Sequence, residues 1–296
     1  MKILAGVTSH KLGEEIAKKL SLPLINLIHK QFTDGETYLQ IEGKVEDEDV
    51  IIIQNTFPNQ EKHLIEIMLI ASTLKEYNAS KVILLSPYLA YSRADRRRKE
   101  KEVISHKVIL ELLYKSGVDS VITFDVHNRE SFTSFVPELE KFSITTIPLI
   151  SDYLRSKIKD NSILVGPDKG ISEELEYLSL SLKVPFGCLE KFRDPDDHKI
   201  IMKDPGLELK GKNVVLLDDV ITSGGTAIDA CKLILKKKPQ SLIFIVIHPI
   251  AKSEVFERMM DLGVSQIIST NTISRDDIEQ IDVSSFASNF IEEKFL

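Results

Sequence analysis

Val214-Val215-Leu216-Leu217-Asp218-Asp219-Val220-Ile221-Thr222-Ser223-Gly224-Gly225-Thr226 is the stretch from which the rest of the chain can be read. Four apolar residues in succession make a strand buried on both faces, and such a strand belongs to a parallel sheet covered by helices. The turn after it opens the helix Ala227 to Lys236. Its glycines let the backbone approach an anion, and the amides at the helix start, with the hydroxyls of Thr222, Ser223 and Thr226, can encircle a phosphate monoester. Asp218 and Asp219 stand just upstream and would repel a phosphate they touched, so they accept hydrogen bonds from sugar hydroxyls or hold a cation. A Gly-Gly turn with an aspartate is a common plain turn, but strand, paired Asp, hydroxyl-Gly-Gly-Thr and helix together are rare. The implied ligand is a phosphorylated sugar.

Outward from this stretch the same rhythm repeats. Ile163-Leu164-Val165 leads to a helix from Ser172, then come Phe186 to Leu189 and Leu242 to Ile247. Upstream, Val50 to Gln54 is followed by Leu64, Ile67, Met68, Ala71 and Leu74 at helical spacing, then Val82 to Leu85, a helix carrying Val108, Ile109, Leu112 and Leu113, and Val121 to Phe124. Alternating strands and helices predict an α/β fold of mainly parallel sheets flanked by helices. A length of 296 residues allows two domains, placed at 1–145 and 146–296. Hydrophobic content of 43% and charged content of 28% exclude a disordered chain.

The net charge of -7, from 38 basic and 45 acidic residues, disfavours nucleic acid and anionic membrane as partners unless cations gather locally. No apolar run approaches the ~20 residues needed to span a bilayer. Met1 to Val7 meets Thr8, Ser9 and His10 too soon for a signal sequence, so a cytoplasmic location is expected. Cys188 and Cys231 form no C-x-x-C pair and read as reduced, structural thiols.

Ligands of open parallel sheets bind at the carboxyl ends of strands, which singles out further residues. Asp125-Val126-His127 follows one strand and suits a magnesium-nucleotide site, although a lone histidine is often structural. Gly166-Pro167-Asp168-Lys169-Gly170 follows another, with room around Asp168 for a sugar or cation, or else is a plain turn. Lys191-Phe192-Arg193 carries two cations that either close over phosphates or face solvent. It begins the least patterned segment, Phe192 to Gly211, expected to be a mobile loop. In the basic run Arg93-Ala94-Asp95-Arg96-Arg97-Arg98-Lys99, Arg93 is the candidate phosphate contact, and the outer arginines face solvent or a subunit. Phe32-Thr33-Asp34-Gly35-Glu36 sets an aromatic face beside two carboxylates and could stack a purine. Gly206 to Asn213 nearly fits a P-loop but ends in Asn and precedes its strand, and no G-x-G-x-x-G occurs.

Together these motifs resemble the ribose-phosphate diphosphokinase (phosphoribosyl-pyrophosphate synthetase) family over nearly the whole chain. The loop Asp218 to Thr226 alone resembles the wider phosphoribosyltransferase superfamily; the other motifs narrow it. The resemblance implies two phosphoribosyltransferase-like domains and Mg²⁺-dependent transfer of the β,γ-diphosphoryl group of ATP to the 1-hydroxyl of ribose 5-phosphate. It further implies catalytic roles for Lys191 and Arg193, and ATP contacts from Phe32, Asp34, Glu36, Arg93, Asp95 and His127. Asp218, Asp219, Thr222, Ser223, Gly224, Gly225 and Thr226 would bind ribose 5-phosphate, and His127, Asp125 and Asp168 would serve the metal. In the family the adenine site is shared with a neighbouring subunit, which implies a homodimer or higher homo-oligomer. Ala94 stands where the family commonly has Gln, which bears on nucleotide affinity or donor selectivity, and Val103 replaces a usual Pro. Two other readings compete: a phosphoribosyltransferase that consumes the diphosphate sugar, which leaves the N-terminal half unexplained, and a non-catalytic regulatory paralogue, which would be expected to lose Lys191 and Arg193.

Overall fold

The computed structural model describes residues 1–193, 200–203 and 205–296, with the backbone alone at 191–193 and 200–202. The chain divides into two compact units, Met1–Thr145 with Ser284–Leu296, and Thr146–Val283.

The first unit runs β1 (Lys2–Ala5), α1 (His10–Leu20), β2 (Leu24–Gln31), β3 (Thr37–Glu42), β4 (Asp49–Ile53), α2 (Gln60–Glu76), β5 (Lys81–Leu85), α3 (Ser105–Lys115), β6 (Ser120–Phe124), α4 (Arg129–Ser134) and β7 (Glu140–Ile144). Its seven strands lie in the order β3-β2-β1-β4-β5-β6-β7. All neighbours are parallel except β3, which folds back on β2 as a hairpin. Val50 to Ile53 and Val82 to Leu85 are wholly buried, as expected of central strands with helices on both faces. Chain order reverses between β1 and β4, so the crevice at their carboxyl ends is the switch point of this sheet.

The second unit runs α5 (Ile147–Leu154), β8 (Ser162–Gly166), a short 3-10 turn at Lys169–Ile171, α6 (Ser172–Leu182), β9 (Phe186–Cys188), β10 (Glu190–Arg193), β11 (Ile200–Lys203), β12 (Asn213–Ile221), α7 (Gly225–Lys236), β13 (Ser241–Pro249), α8 (Ser253–Asp261), β14 (Gln266–Thr270) and β15 (Glu279–Ile281). Six strands form a parallel sheet in the order β15-β14-β13-β12-β8-β9. Its switch point lies between β8 and β12, the strands that end at Asp168 and at the Asp218 stretch.

One sequence expectation is corrected. Residues 146–296 do not form one domain, because the C-terminal helix Ser284–Phe295 belongs to the first unit. It packs on α1, buries Ala287 and Ile291, and brings Phe290 and Phe295 against Phe142 of β7 at ring separations of 5.4 and 5.8 Å. Within the segment Phe192 to Gly211, Phe192 and Arg193 of β10 pair with Ile201 and Ile200 of β11 in an antiparallel ribbon. Asp194, Pro195, Asp196, Asp197 and His198 lie outside the described residues. Among the described residues no helix is long and apolar enough to cross a membrane.

Candidate functional site

The shape of the turn after β12 follows from its backbone. β12 carries Asp218 and Asp219 within its last residues, and the chain then turns through Thr222, Ser223 and Gly224 into α7. Gly224 has φ +76, in the left-handed region, and a Cβ built there would lie 2.2 Å from Val255 Cγ1. Only glycine meets both demands. No side chain caps α7, so the amides that open the helix, which have no intrahelical acceptor, remain available to an anion. The turn presents Thr222, Ser223 and Gly225 to solvent and half-buries Thr226. Gly224→Ala is expected to destabilise the second unit by about 1–3 kcal/mol and to weaken sugar-phosphate binding at least about tenfold, read by thermal unfolding and calorimetry.

Three carboxylates gather at the neighbouring strand ends. The amide of Asp219 donates to Asp218 Oδ1 at 3.0 Å, and that of Val220 donates to Asp219 Oδ1 at 2.7 Å. Burial, then the adjoining Asp219 and the charge of Asp168, push Asp218 well above the usual carboxylate range. Asp168 receives the amide of Gly170 at 2.7 Å, which fixes its direction at the end of β8. A cluster of like charge at a switch point is relieved by a cation or by sugar hydroxyls. Sequence reading missed the polar edge beyond it: buried His248 at the end of β13 contacts Thr272 Oγ1 through Nδ1 at 3.0 Å, and Thr272 also donates to the Ile247 carbonyl. The signal was present, in polar residues directly after the apolar runs of β13 and β14.

In the first unit, Arg93 is exposed in the segment after β5, and Asp125 and His127 follow β6. Asp125 takes φ +36, a strained value that bends the chain sharply at the strand end. Asp95 is buried and its carboxylate accepts from Asn128 Nδ2 at 2.7 Å, while Asn128 Oδ1 caps α4 by accepting from the Ser131 amide. Asp95 therefore ties the arginine-bearing segment to the one that carries His127. Arg96, Arg97, Arg98 and Lys99 are exposed, and Glu102 accepts the amides of Arg98 and Lys99. Phe32, Asp34, Gly35 and Glu36 form the exposed turn of the β2–β3 hairpin, with Asp34 Oδ1 accepting the Glu36 amide at 3.1 Å. This turn and the Arg93 segment stand on one edge of the sheet but are separated by β1 and β4.

Lys191 and Arg193 fall on β10, where their backbones pair with Met202 and Ile200. Asp125 and His127 belong to the first unit and Asp168 to the second. Among the described residues no three His, Cys, Asp or Glu side chains form a ready-made metal cage. The donors present, carboxylates crowded enough to raise the Asp218 pKa, fit a magnesium ion carried on phosphate oxygens, which takes few ligands from the protein.

Comparison with known proteins agrees in both units. Residues 1–117 match the N-terminal domain of ribose phosphate pyrophosphokinase, and residues 139–279 match the phosphoribosyl transferase domain. The ribose-phosphate pyrophosphokinase of Saccharolobus solfataricus is 36% identical over 96% of this chain and 98% of its own. That of Sulfurisphaera tokodaii is 33% identical over the same shares. The crystal structure of phosphoribosylpyrophosphate synthetase from Mycobacterium smegmatis shares the fold, with a TM-score of 0.88, 22% identity, and coverage of 99% of this chain and 98% of that one. With full-length relatives above 30% identity and both family domains in sequence order, the chain is an enzyme of the ribose-phosphate pyrophosphokinase family.

Proposed function

We propose that the chain transfers the β,γ-diphosphoryl group of ATP to the 1-hydroxyl of ribose 5-phosphate, yielding 5-phosphoribosyl 1-diphosphate and AMP for nucleotide biosynthesis in the cytoplasm. The observation that carries this reading is the uncapped start of α7 beside the Asp218–Asp219 carboxylates, a phosphate seat and a hydroxyl acceptor at one switch point. The 5-phosphate takes the amides and hydroxyls of residues 222–226, and Asp218 and Asp219 orient the ribose hydroxyls. The 1-hydroxyl oxygen bonds to the β-phosphorus as the bond from that phosphorus to the α,β-bridging oxygen breaks. AMP leaves with the bridging oxygen, and the hydroxyl proton is released. Transfer of this kind asks for alignment and charge compensation, with no side chain required as general base.

Lys191 and Arg193 offset charge on the bridging and leaving oxygens, and Arg93 and His127 hold the nucleotide phosphates. Asp125 and His127 would serve the magnesium of the nucleotide and Asp168 a second cation beside the ribose; when bound, such ions would neutralise charge on the phosphoryl oxygens. Phe32, Asp34 and Glu36 receive adenine. Their distance across β1 and β4 from the Arg93 segment supports presentation to a neighbouring subunit. Ile65 and Leu69 on α2 and Val108 and Leu112 on α3, all exposed, support an apolar contact between copies.

Purified protein with Mg²⁺, ATP and ribose 5-phosphate is expected to form AMP and phosphoribosyl diphosphate in equal amounts. Absence of AMP, with pyrophosphate released from phosphoribosyl diphosphate and a nucleobase instead, would overturn the reading in favour of a phosphoribosyltransferase.

A further inference from the structure

Glu66 is a carboxylate that the reaction above does not use, and it is 1% exposed. Desolvating such a group costs several kcal/mol unless its lone pairs are met. Here all of them are. Oε1 receives His29 Nε2 at 2.9 Å and Thr37 Oγ1 at 3.2 Å; Oε2 receives His63 Nδ1 at 2.7 Å and Gln54 Nε2 at 3.3 Å. Burial opposes ionisation, but the bonds from His63 and His29 hold the carboxyl below its usual range.

The four donors come from separate parts of the first unit: β2, β3, α2 and the end of β4. His29 and Thr37 are the base of the hairpin whose turn is Phe32 to Glu36, with Gln31 and Thr37 the last paired residues before that turn. Gln54 reaches the other way. Its Oε1 accepts the Thr8 amide at 3.4 Å, and a Cβ at Gly6 would lie 1.8 Å from it, so the segment after β1 is built around this side chain. Thr8 Oγ1 in turn donates to the Asn55 carbonyl at 2.8 Å. One buried carboxylate thus joins the hairpin base to the β1–β4 switch point, where ligands of such sheets bind. β2 pairs with β1 only at Ile3–Leu24 and Leu4–Ile25, so past that point the hairpin is held by the packing of Leu27, Leu39 and Ile41 on the core and, nearest the turn, by the bonds to Glu66.

We propose that Glu66 and His29 are positioning residues for nucleotide binding, fixing the β2–β3 hairpin so that its Phe32–Glu36 turn is presented to the adenine. The inference rests on the role proposed above for that turn. His29 gives the cleaner test, because it is only half-buried and Gln can place an amide donor near the imidazole Nε2. His29→Leu is expected to weaken ATP binding roughly tenfold by calorimetry, the size of losing one hydrogen bond to a charged group. Its KM for ATP should rise by a similar factor, while kcat and the KM for ribose 5-phosphate stay within about twofold. His29→Gln is expected to restore ATP affinity to within about threefold of the original, and His29→Leu, which leaves one lone pair of the buried Glu66 unmet, should melt below the Gln variant. Unchanged ATP affinity in His29→Leu would overturn the proposal, and so would equal losses for both substrates or a failure of Gln to rescue. A wild-type protein that binds ATP yet forms no AMP sinks the proposed reaction and leaves the positioning test standing.

Discussion

Lys191→Ala is expected to lower kcat by roughly 10³, with the KM for ribose 5-phosphate within about twofold of the wild-type value. Charge moves onto the bridging and leaving oxygens only as the β-phosphorus changes partners, so a cation placed there is worth most in the transition state. Its loss therefore falls on turnover rather than on substrate capture. The proposed ribose 5-phosphate seat draws on other elements, the end of β12 and the start of α7. Steady-state rates of AMP formation with either substrate varied will decide it. A kcat near the wild-type value refutes the role of Lys191, and a selective rise in the KM for ribose 5-phosphate moves Lys191 to the sugar side.

His106→Leu is expected to stabilise the first unit, and more so in mild acid. The imidazole is fully buried on α3, neither nitrogen has a hydrogen-bond partner, and its ring lies 5.8 Å from that of Phe132 and 6.1 Å from that of Phe135. Burial, opposed by Asp95 and aided by Lys141, pushes its pKa down to about 4. The unfolded chain takes up this proton near pH 6.5 and the folded one only near 4, so stability is lost as pH falls between those values. From pH 7.5 to pH 5 the linkage amounts to about 2 kcal/mol. The Leu variant removes that slope, and at pH 7.5 it gains about 1–3 kcal/mol from no longer burying two unsatisfied nitrogens. Urea unfolding at the two pH values measures both effects; a variant with the same pH slope as the wild type would show that His106 is not the group responsible.

The second unit's site was largely legible in the sequence because it is local. Asp218 to Thr226 writes strand, turn and helix start in consecutive residues, and the constraint on Gly224 needs only one distant partner, Val255. Long-range associations left weaker traces. Ser284–Phe295 has the composition of a helix, but periodicity does not say which core it joins; that depends on Phe290 and Phe295 meeting Phe142. The Glu66 network is equally silent: His63 lies one turn away on the same helix, but His29, Thr37 and Gln54 come from distant strands, and each alone looks like an ordinary polar residue. On α3, apolar spacing alone does not separate Val108 and Leu112, which are exposed, from Leu110 and Leu113, which are buried. The pairing of β10 with β11 was hidden by the charged composition around Lys191 to Arg193.

The return of Ser284–Phe295 to the first unit sets an order of events during synthesis. A nascent chain that has emerged only through Thr145 lacks the segment that covers Phe142, whereas Thr146–Val283 is contiguous and complete on emergence. Vectorial folding usually favours the N-terminal body. Here the face of the earlier body at Phe142 is covered only after Ser284–Phe295 has been made.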